Sequence, residues 1–248
     1  MDPAFSDTPL EATAPDSTFE KIWEIRDDVV RNVWGDFNEV YTRRGFAEEG
    51  PYVYVSEIPP ESQAGNMSPS RGDILRWTYV TGGLAIPWTA DLDEVNADDY
   101  SATIERVDAA ALAAAEAIGN IEWSGQGFEI VMHTPRRAAW AVHLLHNLGR
   151  YVMSSGNGFA AGHRVPLNGP IIADGDSALR VLLFAPPADR SPLFKLPSGF
   201  AHWLVAVGIT QDEWEVAQRD GSAALLGALR QAGVGDLTDP DRVSIFRE

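Results

Sequence analysis

The sequence predicts an α+β fold in which strands and helices interleave along the chain. Short runs rich in β-branched and aromatic residues, such as residues 52–58, alternate with runs of helical period, such as residues 17–34. Hydrophobic residues make up 45% of the chain, which is enough for a substantial core. We therefore expect residues 17–248 to form a single domain. Residues 1–16, rich in proline and acid, are expected to form a flexible tail.

In the N-terminal half, the patterns predict helices and strands in turn. The first helix begins at Ser17, where Ser17 and Glu20 match a capping box, and Gly35 ends it. Strands are predicted on both sides of a loop rich in proline, serine and glycine. The remaining elements of this half are a short helix over residues 36–41, strands over residues 52–58 and 74–80, and an alanine-rich helix over residues 98–118.

In the C-terminal half, a strand within residues 121–133 precedes a long helix. Thr134 and Pro135 are typical of a helix N-cap and first turn, and Gly156 provides a stop. Thr210 and Glu213 form a second capping-box pattern. The other elements are strands over residues 178–185 and 200–207, a helix from residue 222, and a tail over residues 237–246 that is either a loop or a last strand.

The charge of the chain restricts its partners. The net charge is -17, and residues 1–125 carry -16 of it against -1 for residues 126–248. Phosphates would be repelled, so we expect neither nucleic acid nor an anionic membrane as a direct partner. The acidity either serves solubility or forms a face that steers a basic protein partner.

Residue composition and the absence of known motifs argue against several other classes of protein, including membrane-spanning proteins, secreted proteins and common enzyme families. Cysteine is absent, no apolar run could span a bilayer, and the N-terminus has no signal-peptide pattern, so we expect a cytoplasmic protein. No nucleophile elbow, phosphate-binding loop or zinc-protease motif is present. The alternative is an enzyme or small-molecule binder built on His143, His146 and His163 or on the acidic cluster at Asp91, but ordinary surface or core histidines and a solvated acidic loop are expected. We predict no catalytic residue, metal or cofactor.

One aromatic residue stands beside an acidic cluster. Trp88 follows a predicted turn and is close in sequence to Asp91, Asp93 and Glu94. Tryptophan is enriched at the centres of protein interfaces, so this segment is a candidate contact with a protein partner. The alternatives are that Trp88 packs in the core and that the acids lie in a solvated loop.

Five segments, taken together, resemble the Suppressor of fused family. They occur in the family's order within residues 74–246, although each is weak alone. They are RWTYVTGGL (76–84), SGQGFEI (124–130), LHNLGRYV (145–152) with NGF (157–159) and GH (162–163), WLVAVGITQDE (203–213) and LTDPDR (237–242).

This resemblance implies a central mixed, largely antiparallel sheet flanked by helices, best matched over residues 73–248. It implies protein binding without catalysis. Animal members bind and restrain a transcription factor, and free-standing bacterial members look like immunity proteins that neutralise a toxin. In animal members the partner's peptide lies near the first motif, which here maps onto Tyr79, Trp88 and Asp91. We therefore expect an immunity protein that binds a basic toxin domain. A regulatory scaffold for a self protein is the alternative.

Overall fold

The computed structural model describes residues 17–43, 53–60, 76–86 and 122–247. The predicted tail over residues 1–16 and the predicted helix over residues 98–118 lie outside these residues. Within them, no helix is both long enough and apolar enough to cross a membrane.

A mixed sheet organises the described residues, and its strands run antiparallel to their neighbours except for one central parallel pair. The strands are β1 (Glu39–Arg43), β2 (Val53–Ile58), β3 (Trp77–Gly82), β4 (Trp123–Thr134), β5 (Arg164–Pro166), β6 (Leu179–Ala185), β7 (Leu193–Leu196) and β8 (Gly199–Thr210). Their order is β1-β2-β3-β4-β8-β6-β5, and β7 pairs with the N-terminal part of β8. The parallel pair is β4 and β8. The predicted fold class, with its largely antiparallel mixed sheet, is confirmed.

Helices cover both faces of the sheet. They are α1 (Ser17–Trp34), α2 (Ala139–Ser155), α3 (Gln211–Asp220) and α4 (Ser222–Gln231). On β8, Trp203 and Val205 face a core shared with α1, α3 and α4, whereas Leu204 and Ala206 face a core shared with α2. Successive side chains alternate across a strand, so both faces of β8 are apolar because both are covered.

Two predicted helix positions are wrong. Residues 36–41 were expected to be helical, but residues 39–43 form β1, which pairs along its whole length with β2. Its edge pairing outweighs a weak helical pattern of only six residues. The long helix does not begin after Thr134 either. Thr134 still pairs with Trp77 in the sheet, and α2 begins at Ala139.

Other predicted boundaries agree with the structure. The helix α1 begins at Ser17, and α2 ends at Ser155, where Gly156 caps it in a left-handed conformation with φ 70°. The capping box of Thr210 and Glu213 is present at the start of α3. The tail forms no strand: Leu237 makes a single bridge to His133. The short strands β5 and β7 were not predicted, because three or four residues are too few to establish a period of two.

Candidate protein-binding surface

Three aromatic rings form a stack that runs from the core to the surface on the α2 side of the sheet. Phe184 on β6 is fully buried, and Phe159 in the loop after α2 stacks on it with ring centres 4.5 Å apart. Tyr151, near the end of α2, stacks on Phe159 at 5.8 Å and is 48% exposed. Because the stack holds its ring in place, Tyr151 offers apolar area at a low entropic cost, as interface tyrosines do.

A groove of about 440 Å³ adjoins this stack. Trp123, at the start of β4, is 40% exposed and stacks on His202 of β8 with ring centres 4.8 Å apart. Both rings line the groove together with Phe159. The other lining residues are Gln126, Gly127, Phe128, Ala160, Ala161 and Leu204. The volume lies in the range of sites that hold a small ligand or a side chain of a partner.

Two glycines of β4 have positive φ near this groove, and Gly127 lines it. Gly125 has φ 56°, and a Cβ there would lie 2.6 Å from the carbonyl oxygens of Leu84 and Ile86. Gly127 has φ 78°, which side chains rarely tolerate. The register between β4 and β8 shifts over this same stretch, between Trp123 and Phe128. Such an irregularity redirects side chains, and here it accompanies the exposure of Trp123 at the surface.

A buried carboxylate holds the turn that follows β3. The side chain of Glu129 on β4 accepts hydrogen bonds from the Thr81 hydroxyl (2.7 Å) and from the backbone N–H groups of Gly83 and Ala85 (3.0 Å each). Arg26 of α1 donates to the Thr81 carbonyl oxygen. Burial raises the pKa of Glu129, while Arg26 and the three hydrogen bonds oppose that rise. The turn, which leads into residue 87, is therefore fixed by α1 and β4 together.

A second buried polar cluster fixes the C-terminal segment. His133 is fully buried, and its Nδ1 shares a 2.8 Å hydrogen bond with the Thr78 hydroxyl. Its carbonyl oxygen accepts from the N–H of Thr238 at 2.8 Å. Asp236 forms an ion pair of 2.8 Å with Arg76. Burial, followed by the charges of Arg76 and Arg190, holds the pKa of His133 well below its usual value.

The aromatic surface consists of Tyr151, Phe159 and Phe184 together with Trp123 and His202 at the groove. Acidic residues are absent from the segment that contributes Tyr151 and Phe159 to it. Between Ile130 and Ala173 the sequence has no Asp or Glu, although it has four Arg and four His. This segment includes all of α2, Tyr151, Phe159 and the alanines of the groove. In a chain with 36 acidic residues, this segment therefore differs in charge from the rest of the sequence.

Comparison with known proteins identifies the family. The sequence model of the family described as "Suppressor of fused protein (SUFU)" matches residues 76–243, more than half of the chain. The chain belongs to the Suppressor of fused family. The matched region contains β3, β4, the aromatic surface and the groove. The helix α1 precedes it, although Arg26 and Trp34 of α1 are buried in the same structure.

Two curated Suppressor of fused homologs, from Mus musculus and Homo sapiens, are each 28% identical to this chain over 113 residues. The match covers 43% of this chain and 23% of each homolog, so it spans less than a quarter of the length of these relatives.

Solved Suppressor of fused structures share the fold. The crystal structure of a Sufu–Fu complex has a TM-score of 0.62 at 22% identity, with 92% of both chains covered. Drosophila Suppressor of Fused has a TM-score of 0.56 at 23% identity, over 81% of this chain and 44% of that one. A putative homolog from Neisseria gonorrhoeae FA 1090 has a TM-score of 0.54 at 16% identity, over 93% and 98% of the two chains.

The predicted contact residues of this Suppressor of fused chain are only partly within the described structure. Trp88, Asp91, Asp93 and Glu94 lie outside it. Tyr79 is fully buried beneath α2, and its hydroxyl accepts a 2.6 Å hydrogen bond from the N–H of Ala138. Burial raises the pKa of Tyr79 to about 12. Tyr79 therefore presents no surface to a partner in this conformation and instead supports the start of α2.

The histidine alternative gains no support from the geometry. His143 is exposed whereas His146 is 4% exposed, so the two rings do not share a surface. His163 accepts a 3.3 Å hydrogen bond from the Ala160 N–H in the loop after α2. Within the described residues, no three His, Cys, Asp or Glu side chains are placed to hold a metal ion.

Sequence reasoning did not find the exposed aromatic residues of this Suppressor of fused chain. Tyr151 and Phe159 belong to the motifs that carry the resemblance, yet nothing in their spacing shows that the rings stack. Trp123 stands beside the glycines of the second motif, and those glycines were the available signal for an irregular strand.

Proposed function

We propose that this chain is a non-catalytic protein-binding member of its family, and that it is an immunity protein which neutralises a toxin by direct binding. Two exposed aromatic residues beside the groove, each stacked on a neighbouring ring, carry the proposal. Tyr151 and Trp123 are held in place by Phe159 and His202, respectively. Rigid exposed aromatic rings around a concavity are typical of the anchor regions of protein interfaces.

A relative supports a protein partner. One similar structure is that of a Sufu–Fu complex, so a chain of this fold takes part in a complex with another protein. The same relative favours the second candidate function, a regulatory scaffold that holds a self protein. The two candidates share the binding surface and differ in the identity of the partner.

The acidic half supplies a second region of contact in this proposal. Trp88, Asp91, Asp93 and Glu94 would steer a basic toxin domain, since opposite charge raises the association rate at low salt. Nucleic acid and anionic membranes are not partners in this scheme, because the chain carries a net charge of -17. Its setting would be the cytoplasm.

Site-specific photo-cross-linking in the native cell tests the proposal. A benzophenone amino acid replaces Tyr151 in one variant and Gln218, an exposed residue of α3, in the control variant. We expect a covalent adduct with one protein from position 151 and none from position 218, because α3 covers the opposite face of the sheet. Mass spectrometry of the adduct then separates a toxin from a self protein.

Two results would contradict parts of this proposal. Equal adducts from positions 151 and 218, or none from either, would remove the aromatic surface as the interface. An adduct with a self protein would refute immunity and support the scaffold. The steering residues are tested separately with Asp91→Asn, Asp93→Asn and Glu94→Gln combined, which should lower the association rate with the identified partner and reduce its dependence on salt.

A further inference from the structure

We propose that residues 236–245 form a strap that opens as a unit while the rest of the fold stays intact, and that an ion pair between Arg242 and Glu213 holds the strap closed. The strap crosses the C-terminal ends of the two central strands, β4 and β8, and reaches the start of α3. It is a conformational device of the fold, and it does not depend on which protein the aromatic surface binds.

Thr238 of the strap joins β4 to β8 beyond the end of their parallel ladder. The direct pairing of the two strands ends at Val131 and Val205. Past this pair, the N–H of Thr238 donates to the His133 carbonyl oxygen at 2.8 Å, and the Thr238 hydroxyl accepts from the N–H of Gly208 at 2.9 Å. The strap therefore supplies partners for backbone groups of both strands, and these groups lose them when it opens.

The ion pair lies at the far end of the strap. The Arg242 guanidinium donates to both carboxylate oxygens of Glu213, at 2.6 and 2.7 Å, and to the Gly208 carbonyl oxygen at 2.7 Å. Glu213 is fully buried and also accepts from the N–H of Ile245 at 3.0 Å. A guanidinium bound to both oxygens of a carboxylate forms stronger hydrogen bonds than neutral groups do. This part of the strap is therefore held mainly through one carboxylate.

The strap buries few apolar side chains. The structure describes all of residues 236–245, and among them only the polar residues Thr238 and Ser244 are buried. Ile245 packs partly buried against the core, whereas Val243 is 62% exposed. Segments with few buried apolar contacts open at a lower free energy than that of global unfolding. The composition of these contacts thus favours local opening.

Two glycines before the strap provide a hinge. Gly233 has φ 77° and Gly235 has φ 60°. Among the described residues, no atom lies within 4 Å of a Cβ built at either position. Glycine adopts φ values of both signs at low cost, so the backbone can change direction here without a steric penalty.

Native-state hydrogen exchange of the full chain, followed by NMR, tests the proposal. The N–H groups of Gly208, Thr238 and Ile245 report on the strap, and that of Val205 reports on the centre of the sheet. We expect the first three to share one opening constant, at least about tenfold larger than that of Val205. Their exchange should depend little on low concentrations of urea, because opening exposes little surface.

Substitution of Arg242 tests the ion pair. Arg242→Met should accelerate exchange at the three strap reporters by a common factor of about ten or more, since hydrogen bonds to a charged group shift an equilibrium by that much. Arg242→Lys keeps the charge without the two-point geometry and should act in the same direction by a smaller factor, which preserves the test if the Met variant does not fold. Arg219→Met is the matched control: Arg219 pairs with Asp220 on the exposed side of α3, so no reporter should change.

A destabilising substitution outside the strap separates local opening from global unfolding. In Gly149→Ala, the new Cβ would lie 2.5 Å from Cγ1 of Val53, between α2 and β2. It should accelerate exchange at Val205 and leave the three strap reporters unchanged. The strap proposal fails if Gly149→Ala accelerates all four reporters equally, if Val205 and the strap share one opening constant in the unsubstituted chain, or if the Arg242 variants change Ile245 alone or none of the three. These results do not bear on the protein-binding proposal, which the adduct at position 151 decides independently.

Discussion

Replacing Glu129 with Gln should destabilise the fold, because the carboxylate accepts three buried hydrogen bonds and is favoured by the charge of buried Arg26, which forms its ion pair with Asp27. Glutamine keeps nearly the same shape and can still accept from the N–H groups of Gly83 and Ala85, so the main change is the loss of charge. Arg26 is 1% exposed, and Thr81 links it to Glu129 through its carbonyl and hydroxyl oxygens. Hydrogen bonds to a charged group contribute about 1.5–3 kcal/mol, and we expect a loss in that range.

Urea unfolding at pH 7, followed by tryptophan fluorescence and by circular dichroism, measures this loss. Arg26→Met should cost a similar amount, because it removes the positive charge that favours the ionised carboxylate and the hydrogen bond to the Thr81 carbonyl oxygen. The double variant should then lose less than the sum of the two, with a coupling energy of about 1–3 kcal/mol. Additive losses, or a neutral Glu129→Gln, would refute the reasoning: they would mean that burial, which raises the pKa of Glu129, already keeps the carboxyl protonated in the folded protein.

Two further predictions concern packing and pH. Gly149→Ala should cost about 1–3 kcal/mol in urea unfolding, because its Cβ would lie 2.5 Å from Cγ1 of Val53 and push α2 away from β2. Gly227→Ala in α4, where no atom lies within 4 Å of the added Cβ, should stabilise the fold by roughly 0.5–1 kcal/mol. Equal effects of the two substitutions would show that the close approach of Gly149 to Val53 is absent. Since the depressed pKa keeps His133 neutral in the folded protein, its contribution to stability is complete above pH 6.5 and should decline below that pH by about 1.4 kcal/mol per pH unit. His133→Gln should remove this part of the slope of unfolding free energy against pH between about pH 6.5 and 5. An unchanged slope would assign it to other groups.

The elements that could be predicted from the sequence are those whose signal is local. The Thr210 capping box and the Gly156 stop are set by residues within one helical turn, so the pattern places them correctly. The start of α2 is different. Thr134 and Pro135 have a good local N-cap pattern, but Thr134 still pairs with Trp77 in the sheet, and the N–H of Ala138 donates to Tyr79, which is 59 residues away in sequence. Tertiary contacts override the local preference there.

The aromatic surface depends even more on long-range contacts. A stack of Tyr151 on Phe159 on Phe184 requires that the loop after α2 cross the face of β6, and no periodicity encodes that path. The pairing of Trp123 with His202 requires the parallel alignment of β4 and β8, which are 79 residues apart at this contact in the sequence. The tyrosine chosen from the family motif, Tyr79, is an interior residue because both faces of β3 are covered, which strand propensity alone does not show.

The helix α1 shows that the family scaffold extends beyond the part that sequence similarity detects. The match to the family begins at residue 76, yet α1 supplies Trp34, whose ring lies 5.7 Å from that of Trp203 on β8 and 5.3 Å from that of His133 on β4. It also supplies Arg26, which binds the turn after β3. Loss of α1 would uncover this part of the apolar core and remove the hydrogen bond from Arg26 to Thr81, which would cost stability. The turn that leads toward Trp88 and Asp91 is thus held by a helix of the acidic half, whereas the groove is built from the half without excess charge. A partner that uses both regions would therefore bind across two parts of the chain that one buried network, centred on Glu129, fixes in place.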